Sequence, residues 1–172
     1  MSDSCKQNSD RGFTLIELAV VSVIVGIIAT IAVPNLLGMF NRYRVERATA
    51  TLVGAIKEVQ RQAIRQGKLC RIYINTADNS LTGNPSSCLL NKREISDNVA
   101  IRTNIPGTLP NIAFSYRGST TKMGTIVVSS KETNSQECFV ISLGTGIART
   151  GIYTGSKNGS VSAKNCNTNK FE

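Results

Sequence analysis

A single carboxylate, Glu17, interrupts a run that is otherwise almost continuously apolar from Phe13 to Val33 and that opens Arg11-Gly-Phe-Thr-Leu-Ile-Glu-Leu. An acid carried into hydrocarbon costs at least a few kcal/mol unless it is neutralised or paired, so an acid in such a run points to function. The chemistry it suggests is charge pairing. The plainer alternative, a carboxylate resting at a headgroup boundary, is open to Glu17 because it lies near the start of the run.

The other reactive side chains are five cysteines. Cys5 stands apart in the first twelve residues, and without that segment Cys70, Cys88, Cys138 and Cys166 form an even set at wide spacing. No Cys-x-x-Cys pair or zinc-like spacing occurs among them. Disulfides are therefore expected in place of a metal or redox centre, which implies an oxidising compartment. Proximity in sequence would join Cys70 to Cys88 and Cys138 to Cys166, one of three possible connectivities, each bridge contributing about 3 kcal/mol.

Catalysis finds no support. The chain has no His, the usual general base and metal ligand at neutral pH. No Ser or Cys stands beside a credible base and no phosphate-binding glycine loop is present, so neither an enzyme nor a cofactor is expected. An excess of 20 Lys and Arg over 11 Asp and Glu leaves a net charge of +9. That balance attracts polyanions such as nucleic acid or anionic lipid, and it also keeps an exported domain soluble.

These residues need elements to hold them. Residues 1–12 are polar and turn-prone, a leader and not a folded unit. The run from Phe13 to Val33 has about the length of a helix spanning 30 Å of hydrocarbon. A cleavable secretory signal ending near Thr30-Ile-Ala32 is a rival reading, opposed by the weak basic region, the acid in the core and the length of the run.

Beyond Pro34, apolar residues Val45, Ala48, Leu52, Ile56, Val59 and Ala63 recur at spacings of three and four, while Arg42, Arg44, Arg47, Lys57, Arg61 and Arg65 lie off that line. Gly67 fits the position just past a helix end. The pattern predicts one helix over about 13–66. Strand-like runs follow at Arg71–Asn75, Val99–Arg102, Ile112–Tyr116, Thr125–Ser129 and Cys138–Ser142, too closely spaced for helical crossovers and hence antiparallel. The tail after Gly155 reads as loop with one short strand near Val161. The expected class is α+β, a long N-terminal helix packed on an antiparallel β-sheet domain.

The stretch Arg11-Gly-Phe-Thr-Leu-Ile-Glu-Leu18 closely resembles the prepilin signature of type IV pilins and type II secretion pseudopilins. The resemblance implies a type IV pilin-like fold and cleavage between Gly12 and Phe13 by a prepilin peptidase, which also methylates the new amino terminus at Phe13. It implies that Glu17 pairs with the amino terminus of a neighbouring subunit, and that Gly26 and Pro34 flank a segment that loses helical structure in some filaments. The implied organisation is a cleaved leader, 1–12, a transmembrane and filament-core helix, 13–40, and a periplasmic or extracellular domain, 41–172. Implied partners are other pilins or pseudopilins, the peptidase, an inner-membrane assembly platform and membrane lipid. The implied location is a single-pass inner-membrane protein with its C-terminal domain outside the cytoplasm, reaching the cell surface after assembly.

Residues 45–68 and 141–151 are similar to the helix end and the closing strand and turn of the GspH/FimT-type minor pseudopilins, while residues 69–137 match nothing diagnostic. DNA-binding members carry Gly-Arg-x-Arg at that turn, and Gly146-Ile-Ala-Arg149 keeps only the second arginine. Arg117, Lys122, Lys131, Lys157 and Lys164 would have to complete a nucleic-acid patch around Arg149. The readings are a minor pilin or pseudopilin of a type IV pilus-like filament and, as alternatives, a DNA-binding minor pilin for DNA uptake or a type II secretion pseudopilin. One feature opposes the implied topology: Arg42, Arg44 and Arg47 follow the apolar run and only Lys6 and Arg11 precede it, the reverse of the positive-inside rule.

Overall fold

The computed structural model describes residues 14–96 and 98–168, with the backbone alone of Pro34. Helix α1 spans Leu15–Gln66. Thr14 caps its start: its hydroxyl accepts a hydrogen bond from the Glu17 N–H at 3.3 Å. This Thr-x-x-Glu spacing also sets an acid at the positive end of the helix. At the other end Gly67 adopts φ 63. The Gly67 and Lys68 N–H groups donate to the Ile64 and Ala63 carbonyls, each at 3.2 Å, which closes the helix as its sequence predicts. The helix runs unbroken through Gly26 and Pro34. Pro34 nevertheless withholds the N–H that the Thr30 carbonyl would otherwise accept.

The chain divides into two compact units, Met1–Leu37 and Gly38–Glu172. In the first, every large apolar side chain from Leu15 to Leu37 is exposed. The apolar part of α1 is long and apolar enough to cross a membrane.

In the second unit the apolar line Val45, Ala48, Leu52, Ile56, Val59 and Ala63 is buried, each residue at most 5% exposed. It packs on two antiparallel sheets, where the strand spacing had suggested one. The first sheet has the order β3-β2-β1-β5, with β1 Cys70–Asn75, β2 Ser80–Asn84, β3 Arg93–Glu94 and β5 Asn111–Phe114. The second has the order β4-β6-β7-β8-β9, with β4 Ala100–Thr103, β6 Gly124–Ser129, β7 Gln136–Ile141, β8 Ala148–Tyr153 and β9 Cys166–Asn167. Strand β2 has a weak sequence signal, Ser-Leu-Thr-Gly-Asn, and forms because β1 pairs along its length and Leu81 is fully buried.

The two faces of the second sheet do different things. Ile126, Val128, Phe139 and Ile141 point to the core that the helix fills. Val127 and Cys138 alternate to the outer face and cluster there with Tyr153, Val161 and Cys166. The strand expected near Val161 is absent. Edge strand β8 is instead paired by Cys166–Asn167, which the Cys138–Cys166 disulfide fixes beside it, and Val161 is left to contribute its side chain to the outer cluster.

The second disulfide joins Cys70 to Cys88. Sequence separations of 18 and 28 residues give each bridge a closed loop whose entropy is removed from the unfolded chain. Replacing Cys138 and Cys166 together by Ser should lower the free energy of unfolding by about 3 to 4 kcal/mol in a denaturant titration. An unchanged midpoint would show that the tail is held by its other contacts alone.

Candidate functional site

The sequence directs attention to Gly12, Phe13, Glu17, Gly26 and Pro34. Gly12 and Phe13 lie outside the described residues. Glu17 sits in the first turn of α1, among exposed Leu15, Ile16, Leu18 and Val20. A carboxylate there is favoured by the helix dipole, a role that the Thr14-x-x-Glu17 spacing offered and the apolar context obscured. A Cβ built on Gly26 would meet no atom within 4 Å, so packing inside the chain does not require a glycine at that position.

The basic residues singled out for polyanion binding do not gather into one patch. Arg149 pairs with Val140 at the end of the second sheet where β6 starts. Its neighbour Thr150 lines a groove against α1, so Arg149 points to the opposite face. Arg117 lies in the turn after β5, its guanidinium 5.2 Å from the centre of the Tyr116 ring. Lys122 precedes β6 and bonds through its backbone to Thr120. Lys157 is at the far end of the sheet, where its ammonium donates to the Ser130 and Thr133 carbonyls at 2.9 and 2.6 Å. That geometry makes Lys157 a clamp on the β6–β7 connection.

Two polar devices that position this surface were missed. Arg102 on β4 donates to the Ser156 and Gly159 carbonyls at 3.2 and 2.9 Å and to Gln136 Oε1 at 2.9 Å. Gln136 in turn donates to the Gly155 carbonyl at 2.7 Å, so the pair holds the tail loop over the outer cluster. The only sequence signal was an arginine inside an apolar strand pattern. On the helix side, Gln60 Nε2 donates to the Gly118 carbonyl at 2.8 Å and the Gly146 carbonyl at 3.4 Å. Gly146 has φ 67, and a Cβ there would stand 2.5 Å from the Gly118 oxygen, so the glycine-centred turn is shaped for closure onto α1.

Among the described residues of this domain one acid is buried. Glu137 on β7 faces α1 at the edge of the groove lined by Glu46, Thr49, Val53, Lys57 and Thr150. Burial pushes its carboxyl above the ordinary 4.5, opposed by a hydrogen bond from Thr49, while Glu46 adds to the rise and Arg42 opposes it. A raised value means the fold prefers the protonated acid. That contribution is complete below 4.5 and is lost as pH rises through the raised value. Glu137→Gln should therefore gain stability relative to the parent from pH 4.5 upward, measured as thermal midpoints across a pH series. A constant offset across that series would contradict it.

A helix with one uncovered half, one half buried on antiparallel sheets, and an acid in its first turn defines a pilin-type subunit fold. The solved structure of the type IV minor pilin FimU of Pseudomonas aeruginosa shares it, with a TM-score of 0.52 at 13% identity, covering 64% of this chain and 89% of that one. Residues 7–33 match the family described as the prokaryotic N-terminal methylation motif. A fimbrial protein of Pseudomonas aeruginosa is 33% identical over 133 residues, 76% of this chain and 85% of its own. The type II secretion system core protein G of Klebsiella michiganensis is 50% identical over 42 residues, 24% of this chain and 28% of its own. The chain belongs to the type IV pilin and pseudopilin family.

Proposed function

We propose that this chain is a minor pilin or pseudopilin, cut between Gly12 and Phe13, methylated at Phe13, anchored through residues 13–40 in the inner membrane and assembled from there into a pilus-like filament. The observation that carries the reading is the uncovered apolar half of α1 with Glu17 at its start. Exposed apolar surface of that extent needs a bilayer or neighbouring helices, and either medium makes an unpaired carboxylate costly.

Cleavage supplies the missing charge. It would convert the Phe13 nitrogen into a cationic amine, able to pair with Glu17 of an adjoining subunit once both are drawn into a filament core. Removing one member of such a pair leaves the other stranded, at a cost of about 3 to 5 kcal/mol. Gly26 and Pro34 are the places where α1 would yield if the filament demands it, because each weakens the helix locally. The domain 41–172 would face the periplasm or the medium, where the disulfides of its described residues persist.

The role is structural: the chain acts on no substrate, and its partners are other pilins, the processing peptidase and the membrane assembly platform. The match to core protein G supports a secretion pseudopilin as readily as a pilus subunit. A DNA-uptake role is the weaker alternative, because Arg149 and Lys157 stand at opposite ends of the sheet.

Glu17→Leu tests the reading. The variant should insert and be processed normally, yet its amount in sheared filaments should fall by roughly tenfold or more, the least that several kcal/mol per contact implies. Recovery equal to the parent would exclude the pairing role.

A further inference from the structure

Arg42, Arg44 and Arg47 lie on the wrong side of the apolar run for the topology proposed above, where positive charge hinders export. Two of them line a cleft. It has a volume of about 360 Å³ and lies between α1 and the segment after β3, with Arg44, Arg47 and Thr51 on one wall and Glu94, Ile95 and Ser96 on the other. Among the described residues nothing pairs with the Arg47 guanidinium, and Arg44 makes one hydrogen bond, to Asn41 Oδ1 at 3.1 Å. The carboxylate in the wall, Glu94, is engaged by Lys92 at 3.5 Å.

The same helix face carries a second signal. Phe40, Arg44, Arg47 and Thr51 follow one another at spacings of four, three and four, so they form one stripe along α1. Tyr43 stands beside that stripe, four residues before Arg47. Phe40 and Tyr43 are 54% and 58% exposed. Exposed aromatics at the end of an apolar segment are the residues that settle at a membrane interface. Arg44 is one helical turn beyond Phe40, about 6 Å along the axis, where lipid phosphates lie if Phe40 marks the hydrocarbon edge.

We propose that this cleft binds the phosphate of an anionic phospholipid, with Arg44 and Arg47 donating to the phosphate and the lipid chains lying along Phe40 and Tyr43. Guanidinium groups match phosphate oxygens with paired hydrogen bonds, and their weak hydration suits a site at the bilayer surface. The exposed aromatics distinguish a lipid from free phosphate, which needs no apolar flank, and their place at the end of the apolar run favours a lipid over nucleic acid. Occupancy would hold the globular unit at the membrane surface before assembly and would neutralise charge that opposes the topology. The inference rests on residues 13–40 serving as the anchor.

The test uses the full chain in detergent micelles doped with phosphatidylglycerol or with phosphatidylcholine, and retained lipid is read by native mass spectrometry. The parent should retain one phosphatidylglycerol and no phosphatidylcholine. Arg44→Gln with Arg47→Gln should retain phosphatidylglycerol roughly tenfold less, while Arg149→Gln should match the parent. Equal retention of both lipids, or unchanged retention by the double variant, would overturn the site. Displacement of the lipid by inorganic phosphate or by an oligonucleotide at equal concentration would overturn its assignment to a lipid. Flotation with vesicles separates the two readings: a chain that does not float refutes the anchor, whereas one that floats without discriminating between lipids refutes the cleft alone.

Discussion

The structure depends on a hydrophobic surface that its own chain leaves uncovered. Along α1 the same secondary structure carries two kinds of sequence. From Val45 to Ala63 the apolar residues form a stripe that two sheets bury. From Leu15 to Leu37 the large apolar side chains point in every direction and all are exposed. A stripe can be satisfied by one packing partner; a helix that is apolar all round requires a surrounding medium, either lipid or other helices. Everything distinctive about the chain follows from that requirement, including the significance of one carboxylate.

The globular unit, by contrast, buries a core of its own. Its core is filled by the helix stripe, and its periphery is closed by polar clasps where apolar packing runs out. Gln60 binds two turns to the helix, Arg102 and Gln136 hold the tail loop, and Lys157 caps the β6–β7 connection. The Cys138–Cys166 bridge crosses the outer face of the second sheet, where only a small apolar cluster forms. Such a unit can be carried at the surface of an assembly without needing the assembly to fold. Its cationic side chains are therefore divided between structural clasps and solvent-facing positions, and the net charge of +9 by itself does not identify a binding surface.

Much of this was legible in the sequence because it rests on local periodicity. The helix end at Gly67 and the buried line from Val45 to Ala63 follow from spacing and from the glycine's tolerance of positive φ. The strands at Arg71–Asn75, Thr125–Ser129 and Cys138–Ser142 were visible for the same reason: apolar, β-branched runs bounded by turns. Division into two sheets was not legible, because it depends on pairing between strands distant in sequence, such as β1 with β5 and β4 with β6. Strand β2 and the loop around Val161 were misread because tertiary partners overrode weak local preferences. The clasp formed by Arg102 and the isolation of Lys157 from Arg149 depend on which face and which end of a sheet each residue occupies. Composition carries no such information.

The apolar half of α1 is proposed to be a processed assembly element whose acid meets an amine that cleavage creates. The most direct measurement is the intact mass and amino-terminal sequence of the protein recovered from its native membrane. The expected result is a chain beginning at a monomethylated Phe13. A chain that retains Met1 to Gly12, or one that begins beyond Ala32, would contradict it.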